Sequence, residues 1–166
     1  MNNLELIPVS DEIDIETVAK LANTIWHEYF TPLIGLNQVE YMLEKFQSFS
    51  AITSQIENDR YMYNIIKNGD NAIGYFGFQI KESKLFLSKL YIKENMRGNG
   101  ISRTVIEYLI GICKDKKLSC IWLTCNKGNE NTLNAYRHFG FEQTDSVITD
   151  IGNGYVMDDY IMTLYM

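Results

Sequence analysis

A chain of 166 residues, 46% of them hydrophobic and 13% aromatic, is long enough to bury one full core and too short for two domains of ordinary size, so one domain over residues 1–166 is expected. A formal net charge of −6 and a pI near 4.9 argue against a surface built for nucleic acid, whose affinity rests on neutralising many phosphates; a cationic amine suits this balance better, although acidity also serves solubility alone. No apolar run approaches the roughly 18 residues of a membrane span, and Met1-Asn2-Asn3-Leu4-Glu5 lacks the basic-then-apolar layout of a signal peptide, so the reading is a cytoplasmic protein without a membrane partner.

Leu4 to Val9 reads as a first strand. Ile15, Val18, Leu21, Ala22, Ile25, Trp26 and Tyr29 then recur at helical spacing, with Asp14 placed near the start as a cap. Val39, Met42, Leu43 and Phe46 mark a second amphipathic helix, and Ile52 and Ile56 a short continuation of it up to Asn58-Asp59. From Arg60 the period changes. Tyr61 to Ile66 and Ala72 to Ile80 are extended runs joined by Asn68-Gly69-Asp70-Asn71, a polar turn that closes a hairpin. After the break at Lys81-Glu82-Ser83-Lys84, the run Leu85 to Ile92 completes an antiparallel meander.

Arg97-Gly98-Asn99-Gly100-Ile101-Ser102 separates that strand from an amphipathic run, Thr104 to Lys117, whose inward face carries Val105, Ile106, Leu109, Ile112 and Cys113. A glycine-rich turn that opens a helix leaves backbone N–H groups without helical partners, and they converge on an anion at the positive end of the dipole. The mononucleotide loop with its Lys and Ser/Thr is absent, and so is the three-glycine dinucleotide fingerprint. Glycines at such a turn also serve turn geometry alone.

Ser119 to Cys125 forms the next strand, parallel to Leu85–Ile92 through a right-handed crossover. A helix from Asn129 ends at Gly140, a suitable left-handed cap. Glu142 to Ile148 and Tyr155 to Tyr165, separated by Asp150-Ile151-Gly152-Asn153-Gly154, close the chain as a hairpin. Cys113, Cys120 and Cys125 show neither Cys-x-x-Cys spacing nor nearby histidines. They are expected to be buried thiols rather than disulfides or metal ligands, and no metal is expected.

Arg97, Gly100 and Ser102, as Arg-x-x-Gly-x-Ser, resemble the Arg/Gln-x-x-Gly-x-Gly/Ala loop with which acetyltransferases of the GNAT superfamily grip the pyrophosphate of acetyl-coenzyme A. Downstream, Asn129, Tyr136 and Gly140-Phe141 resemble the superfamily's other long motif, and Leu87 to Ile92 its central strand. The resemblance rests on motifs from about residue 60 onward and on pattern alone before it. It implies an α/β (α+β) fold, a mixed and mostly antiparallel central sheet of about seven strands with helices on both faces. In that fold the central strand and its parallel neighbour splay apart to admit the pantetheine arm.

The same resemblance implies the site. Acetyl-CoA would be held by Arg97, Gly98, Asn99, Gly100, Ile101, Ser102 and Arg103 at its pyrophosphate, and by backbone groups of Leu90, Tyr91 and Ile92 along the pantetheine. Ser102 departs from the usual Gly or Ala, and Arg103 alternatively lies on a solvated helix face. Asn129 would bond the pantetheine or cap its helix. Tyr136 would protonate the departing thiolate, and a phenol with pKa near 10 holds its proton at pH 7.

For the base that frees the amine, nothing in the spacing selects among His27, Glu28 and Tyr29; a lone histidine is more often structural, and a water chain can serve. His138 has no assigned role. Trp26 to Phe30 with Tyr41 to Phe46 faintly resembles polyamine acetyltransferases, with Glu40 or Glu44 to meet a polyamine between aromatic faces. The expected activity is N-acetylation of a small primary amine or polyamine by direct attack in a ternary complex. The alternatives are a protein or peptide amino-group acetyltransferase, a non-catalytic acyl-CoA sensor, and an interaction domain whose glycine turn binds no nucleotide; a homodimer stays open.

Overall fold

The computed structural model describes residues 3–166. In chain order the elements are β1 (Leu4–Pro8), α1 (Glu12–Ile34), α2 (Leu36–Phe46), α3 (Phe49–Asn58), β2 (Met62–Asn68), β3 (Asn71–Lys81), β4 (Lys84–Ile92), a 3-10 turn (Glu94–Met96), α4 (Ile101–Lys116), β5 (Cys120–Asn126), α5 (Glu130–His138), β6 (Glu142–Gly152) and β7 (Tyr155–Tyr165). The strands form a 7-stranded sheet in the order β1-β2-β3-β4-β5-β7-β6. Its β4–β5 ladder is parallel, while the β1–β2, β2–β3, β5–β7 and β6–β7 ladders are antiparallel. The chain divides into two compact units, one running up to Gln79 and including Ser88–Val105, the other comprising Ile80–Leu87 and Ile106–Met166. No helix among the described residues is long and apolar enough to cross a membrane.

In the first unit, the cap of α1 is Asp11 rather than the expected Asp14, because only the earlier carboxylate can reach back over the free N–H groups of the first turn. Asp11 accepts from the Asp14 N–H at 2.9 Å, and the Asp14 carboxylate accepts from the Ser10 N–H at 3.0 Å. The helix buries Ile15, Val18, Leu21, Ala22, Ile25 and Trp26, the stripe expected from spacing, but it runs beyond Tyr29 to Ile34. Gly35, at φ 86°, stops it where a side chain would be strained. The expected single second helix is two, because Gln47 ends α2 and Ser48 caps α3 by accepting from the Ala51 N–H at 3.2 Å.

Two glycines of β3 make room for neighbours. The Tyr63 ring lies over its cross-strand partner Gly77, where a Cβ would stand 2.8 Å from Tyr63 Cε1. Gly74 is tighter still: a Cβ there would meet the Tyr91 carbonyl oxygen at 2.5 Å and Ile92 Cα at 3.2 Å. Both obstacles are backbone, which cannot rotate aside. Gly74→Ala is therefore expected to lower stability by about 1–3 kcal/mol through overpacking, read as a lower urea midpoint at unchanged m-value. A native midpoint would show that β4 moves away freely.

In the second unit, the β4–β5 ladder pairs Lys84–Phe86 with Cys120–Trp122, and the Phe86 and Trp122 rings stack at 4.2 Å. Helix α4 buries Ile106, Leu109 and Cys113, and its last turn carries Lys114 and Lys116 at the negative helix end. The closing hairpin is longer than expected. Strand β6 continues to Gly152, and the turn contracts to Asn153-Gly154, at φ 54° and 80°, the two positive angles that suit a tight two-residue hairpin. Cys113, Cys120 and Cys125 are free and buried.

Candidate active site

The first unit carries the glycine loop. Gly98 and Gly100 take φ of 79° and 75°, and a Cβ at either would meet nothing within 4 Å. Backbone conformation, not crowding, requires glycine at both places, and the space over them is open. The side-chain amide of Asn99 donates to the Met96 carbonyl at 3.0 Å and so braces the turn. The Gly100 carbonyl accepts the Thr104 N–H at 3.2 Å, the first helical bond of α4. By helix geometry the N–H groups of Ile101, Ser102 and Arg103 then have no acceptor within their own helix. A loop of open space, two left-handed glycines and forward-pointing N–H groups fits a pyrophosphate.

Arg97 is placed differently from a phosphate clamp. Its Nε donates to the Ile92 carbonyl at 3.0 Å, and its guanidinium lies 4.7 Å from the centroid of the Tyr29 ring. It ties the loop to the end of β4 and to α1. Next to it, the Tyr91 ring meets Trp26 at 5.4 Å, Phe30 at 5.9 Å and Tyr75 at 5.6 Å, so its side chain packs against α1 and β3. Leu90 is half-buried and Ile92 buried.

His27 is a structural tie. Its Nδ1 lies 2.7 Å from the Asn23 carbonyl and its Nε2 3.2 Å from Glu40 Oε1, linking α1 to α2. The Asn23 bond, followed by Glu40, raises its pKa, which favours the charged ring and disfavours a free base. Glu40 is thereby engaged as well, while Glu28 and Glu44 are exposed. Lys45 stands 5.5 Å from the centroids of both Tyr41 and Phe46, so the protein's own ammonium occupies the aromatic faces offered to a polyamine.

One group on β4 escaped the sequence reading. Lys89 is 5% exposed. Its Nζ donates to the Phe46 carbonyl at 2.7 Å, to Gln55 Oε1 at 2.8 Å and to the Tyr63 hydroxyl, and it lies 5.1 Å from the centroid of the Tyr63 ring. All three partners are neutral, so no countercharge offsets the burial, which lowers its pKa from 10.5 to about 7. The signal was present in the alternation Leu85, Leu87, Lys89, which sets a lysine on the buried face of a strand.

The depressed pKa has a consequence for stability. The unfolded chain keeps this proton to about pH 10.4, whereas the folded one gives it up near 7. The burial cost is thus fully present below pH 7 and is relieved as pH rises. Wild type should gain about 1.4 kcal/mol per pH unit over Lys89→Met from pH 7 upward. Cys113 and Cys125, pushed up to about 11 and 12 by burial, pull the other way above their ordinary pKa, so the wild-type-minus-variant difference in urea midpoints is the quantity to follow. A difference independent of pH would contradict the buried ammonium without a countercharge.

The second unit carries the other motif. Helix α5 ends with the Phe141 N–H donating to the Tyr136 carbonyl and the Gly140 N–H to the Arg137 carbonyl, both at 3.0 Å, with Gly140 at φ 101°. This paired arrangement is a Schellman cap. It brings the residue after the glycine against the third from the helix end, and the Phe141 and Tyr136 rings meet edge to face at 5.3 Å. The Gly-Phe pair therefore fixes the Tyr136 ring. Tyr136 is 9% exposed, its hydroxyl has no hydrogen-bond partner among the described residues, and burial, then Cys125, raises its pKa. Asn129 stands at the N-cap position of α5 without a side-chain capping bond, so the capping alternative is not the one adopted.

A sequence profile of the acetyltransferase (GNAT) family matches residues 20–141. The chain belongs to that family. As a GNAT protein it is an acetyltransferase that uses acetyl-CoA, and the seven-stranded mixed sheet with five helices is the GNAT fold. PaiA N-acetyltransferase from Thermoplasma acidophilum, solved in complex with coenzyme A, is 20% identical, with 99% of each chain covered and a TM-score of 0.84. A GCN5-related N-acetyltransferase from Rhodopseudomonas palustris is 14% identical over 100% of this chain and 98% of that one, with a TM-score of 0.82. YncA, a putative acetyltransferase from Salmonella typhimurium solved with acetyl-CoA, is 14% identical over 99% and 94%, with a TM-score of 0.65. Among the described residues of this GNAT chain, no group of three or more His, Cys, Asp and Glu side chains could hold a metal ion.

Proposed function

We propose that this chain acts in the cytoplasm as a single N-acetyltransferase domain that moves the acetyl group of acetyl-CoA to a small primary amine by direct attack in a ternary complex. The observation that carries the reading is the opening of α4, where Gly98 and Gly100 take left-handed φ under open space and the helix presents its first N–H groups. Acetyl-CoA supplies the activated acetyl thioester. Backbone N–H groups from Gly98 to Arg103 hold the pyrophosphate, Arg97 keeps that loop anchored on β4, and backbone groups of Leu90, Tyr91 and Ile92, with Asn129, hold the pantetheine. Tyr136 keeps a proton on its buried hydroxyl and delivers it to the departing thiolate.

A small amine is favoured over a polyamine because Lys45 already covers the Tyr41 and Phe46 faces and Glu40 is spent on His27. The likeness to the coenzyme A complex of PaiA supports the assignment of the cradle. A thermal-shift measurement should show acetyl-CoA raising Tm, since a ligand bound only by the native state stabilises it. Coenzyme A release should then depend on an added primary amine. A raised Tm without amine-dependent release from a broad amine panel would favour a sensor, and no shift would remove the cradle.

A further inference from the structure

The second unit contains a buried carboxylate that the mechanism above does not use. Asp159 lies on β7 between Asn126 of β5 and Val147 of β6, its two cross-strand partners, neither of them charged. It is 4% exposed and has no hydrogen bond or ion pair among the described residues. The nearby cation is committed elsewhere: Lys127 Nζ binds Asp158 Oδ1 at 2.9 Å and stands 5.3 Å from the centroid of the Tyr160 ring. The carboxylate has lost most of its water without gaining a protein donor, and its oxygens keep only a small contact with solvent, an arrangement that leaves the charge open to a cationic partner. Its neighbours point to the chemistry. The Lys127 N–H donates to the Asp158 carbonyl at 3.1 Å and the Asn129 N–H to the Asn126 carbonyl at 2.9 Å, so Asp159 stands where β5 turns into α5, the helix that has Asn129 as its N-cap and carries Tyr136.

We infer that Asp159 receives the ammonium group of the acceptor amine and takes its proton. The inference rests on the reading of Tyr136 as the acid, and it assigns the base that the sequence left open. An ammonium would supply the missing countercharge and hydrogen-bond donors together. The balance is simple. One ammonium proton passes to the Asp159 carboxylate, the freed nitrogen lone pair forms the C–N bond to the acetyl carbon as the C–S bond breaks, and the Tyr136 hydroxyl proton goes to the thiolate. The second nitrogen proton restores the tyrosine, and Asp159 returns its proton to solvent. Burial first, then Asp158, raises the Asp159 pKa to about 6, with Lys127 opposing, and the Cys125 thiol is a further titratable group coupled to it. A base with that pKa is mostly ionised at pH 7 yet still able to accept a proton.

The test compares wild type, Asp159→Asn and Asp159→Glu with tyramine, spermidine and other primary amines as probes. For the variant Asp159→Asn, kcat/KM for the amine should fall about 10²-fold or more, and the rise of rate with pH through about 6 should disappear. Acetyl-CoA affinity by calorimetry should stay native, the amine-induced rise in Tm measured without acetyl-CoA should vanish, and Asp159→Glu should recover part of the rate. An Asn variant that keeps native kcat/KM and the pH limb in an amine-active enzyme overturns the inference alone. Wild type inactive with every amine overturns the transferase reading, and this inference with it.

Discussion

Tyr136→Phe is expected to lower turnover about 10²-fold or more, the usual worth of a positioned general acid, while acetyl-CoA affinity stays within a few-fold of native. The structure separates the two quantities. Everything that holds the ring, from the Schellman bonds at Gly140 and Phe141 to the edge contacts with Phe139 and Phe141, survives the loss of one oxygen. The hydroxyl itself has no hydrogen-bond partner among the described residues, so its removal leaves no buried group orphaned and costs little stability. A loss of rate therefore reports chemistry rather than unfolding. Single-turnover measurement with an identified amine avoids masking by slow product release. Near-native turnover in the chemical step would exclude Tyr136 as the essential acid.

Gly100→Val should abolish or severely weaken acetyl-CoA binding in a chain that remains folded. The cause is conformational. Gly100 sits at φ 75°, a region that costs an ordinary residue about 1–2 kcal/mol and a β-branched one more. No atom stands within 4 Å of the added Cβ, so the fold meets no clash and should tolerate the strain. Any relaxation of φ, however, turns the following N–H groups away from their common focus, and the side chain enters the space a pyrophosphate would take. Hydrogen bonds to charged groups are worth about 1.5–3 kcal/mol each, so losing two weakens binding about 10²-fold or more. Calorimetry reads the affinity and circular dichroism the fold. Unchanged affinity in the folded variant would falsify the cradle, and Gly100→Ala should fall between the two.

The two motifs were legible because each is local. The glycine loop works through φ angles that only its own residues set, and the Asn129 to Phe141 stretch encodes a helix, its cap and the ring that the cap fixes. Period and capping likewise placed α1, α4 and most strands, since a buried stripe follows from spacing alone. Boundaries were less secure. The split between α2 and α3 depended on Ser48, which reads as an ordinary helix residue until its hydroxyl is seen accepting from Ala51.

Residue spacing by itself determined most elements, which faces are apolar, and which backbone stretch opens a helix with N–H groups that have no helical acceptor, because these depend on neighbours within a few positions. Only the tertiary structure decided what the polar side chains do. Arg97 spends its Nε on Ile92 and lies over Tyr29, and His27 spends both nitrogens within α1 and α2. Lys89 meets Phe46, Gln55 and Tyr63, partners far away along the chain, and Asp159 meets no hydrogen-bond donor at all among the described residues. The protonation of a group follows from the water it has lost and the charges brought beside it, and both are products of folding. A lysine or an aspartate in a strand pattern looks the same whether its head reaches solvent or not, so its chemistry emerges only when the strands and helices around it close.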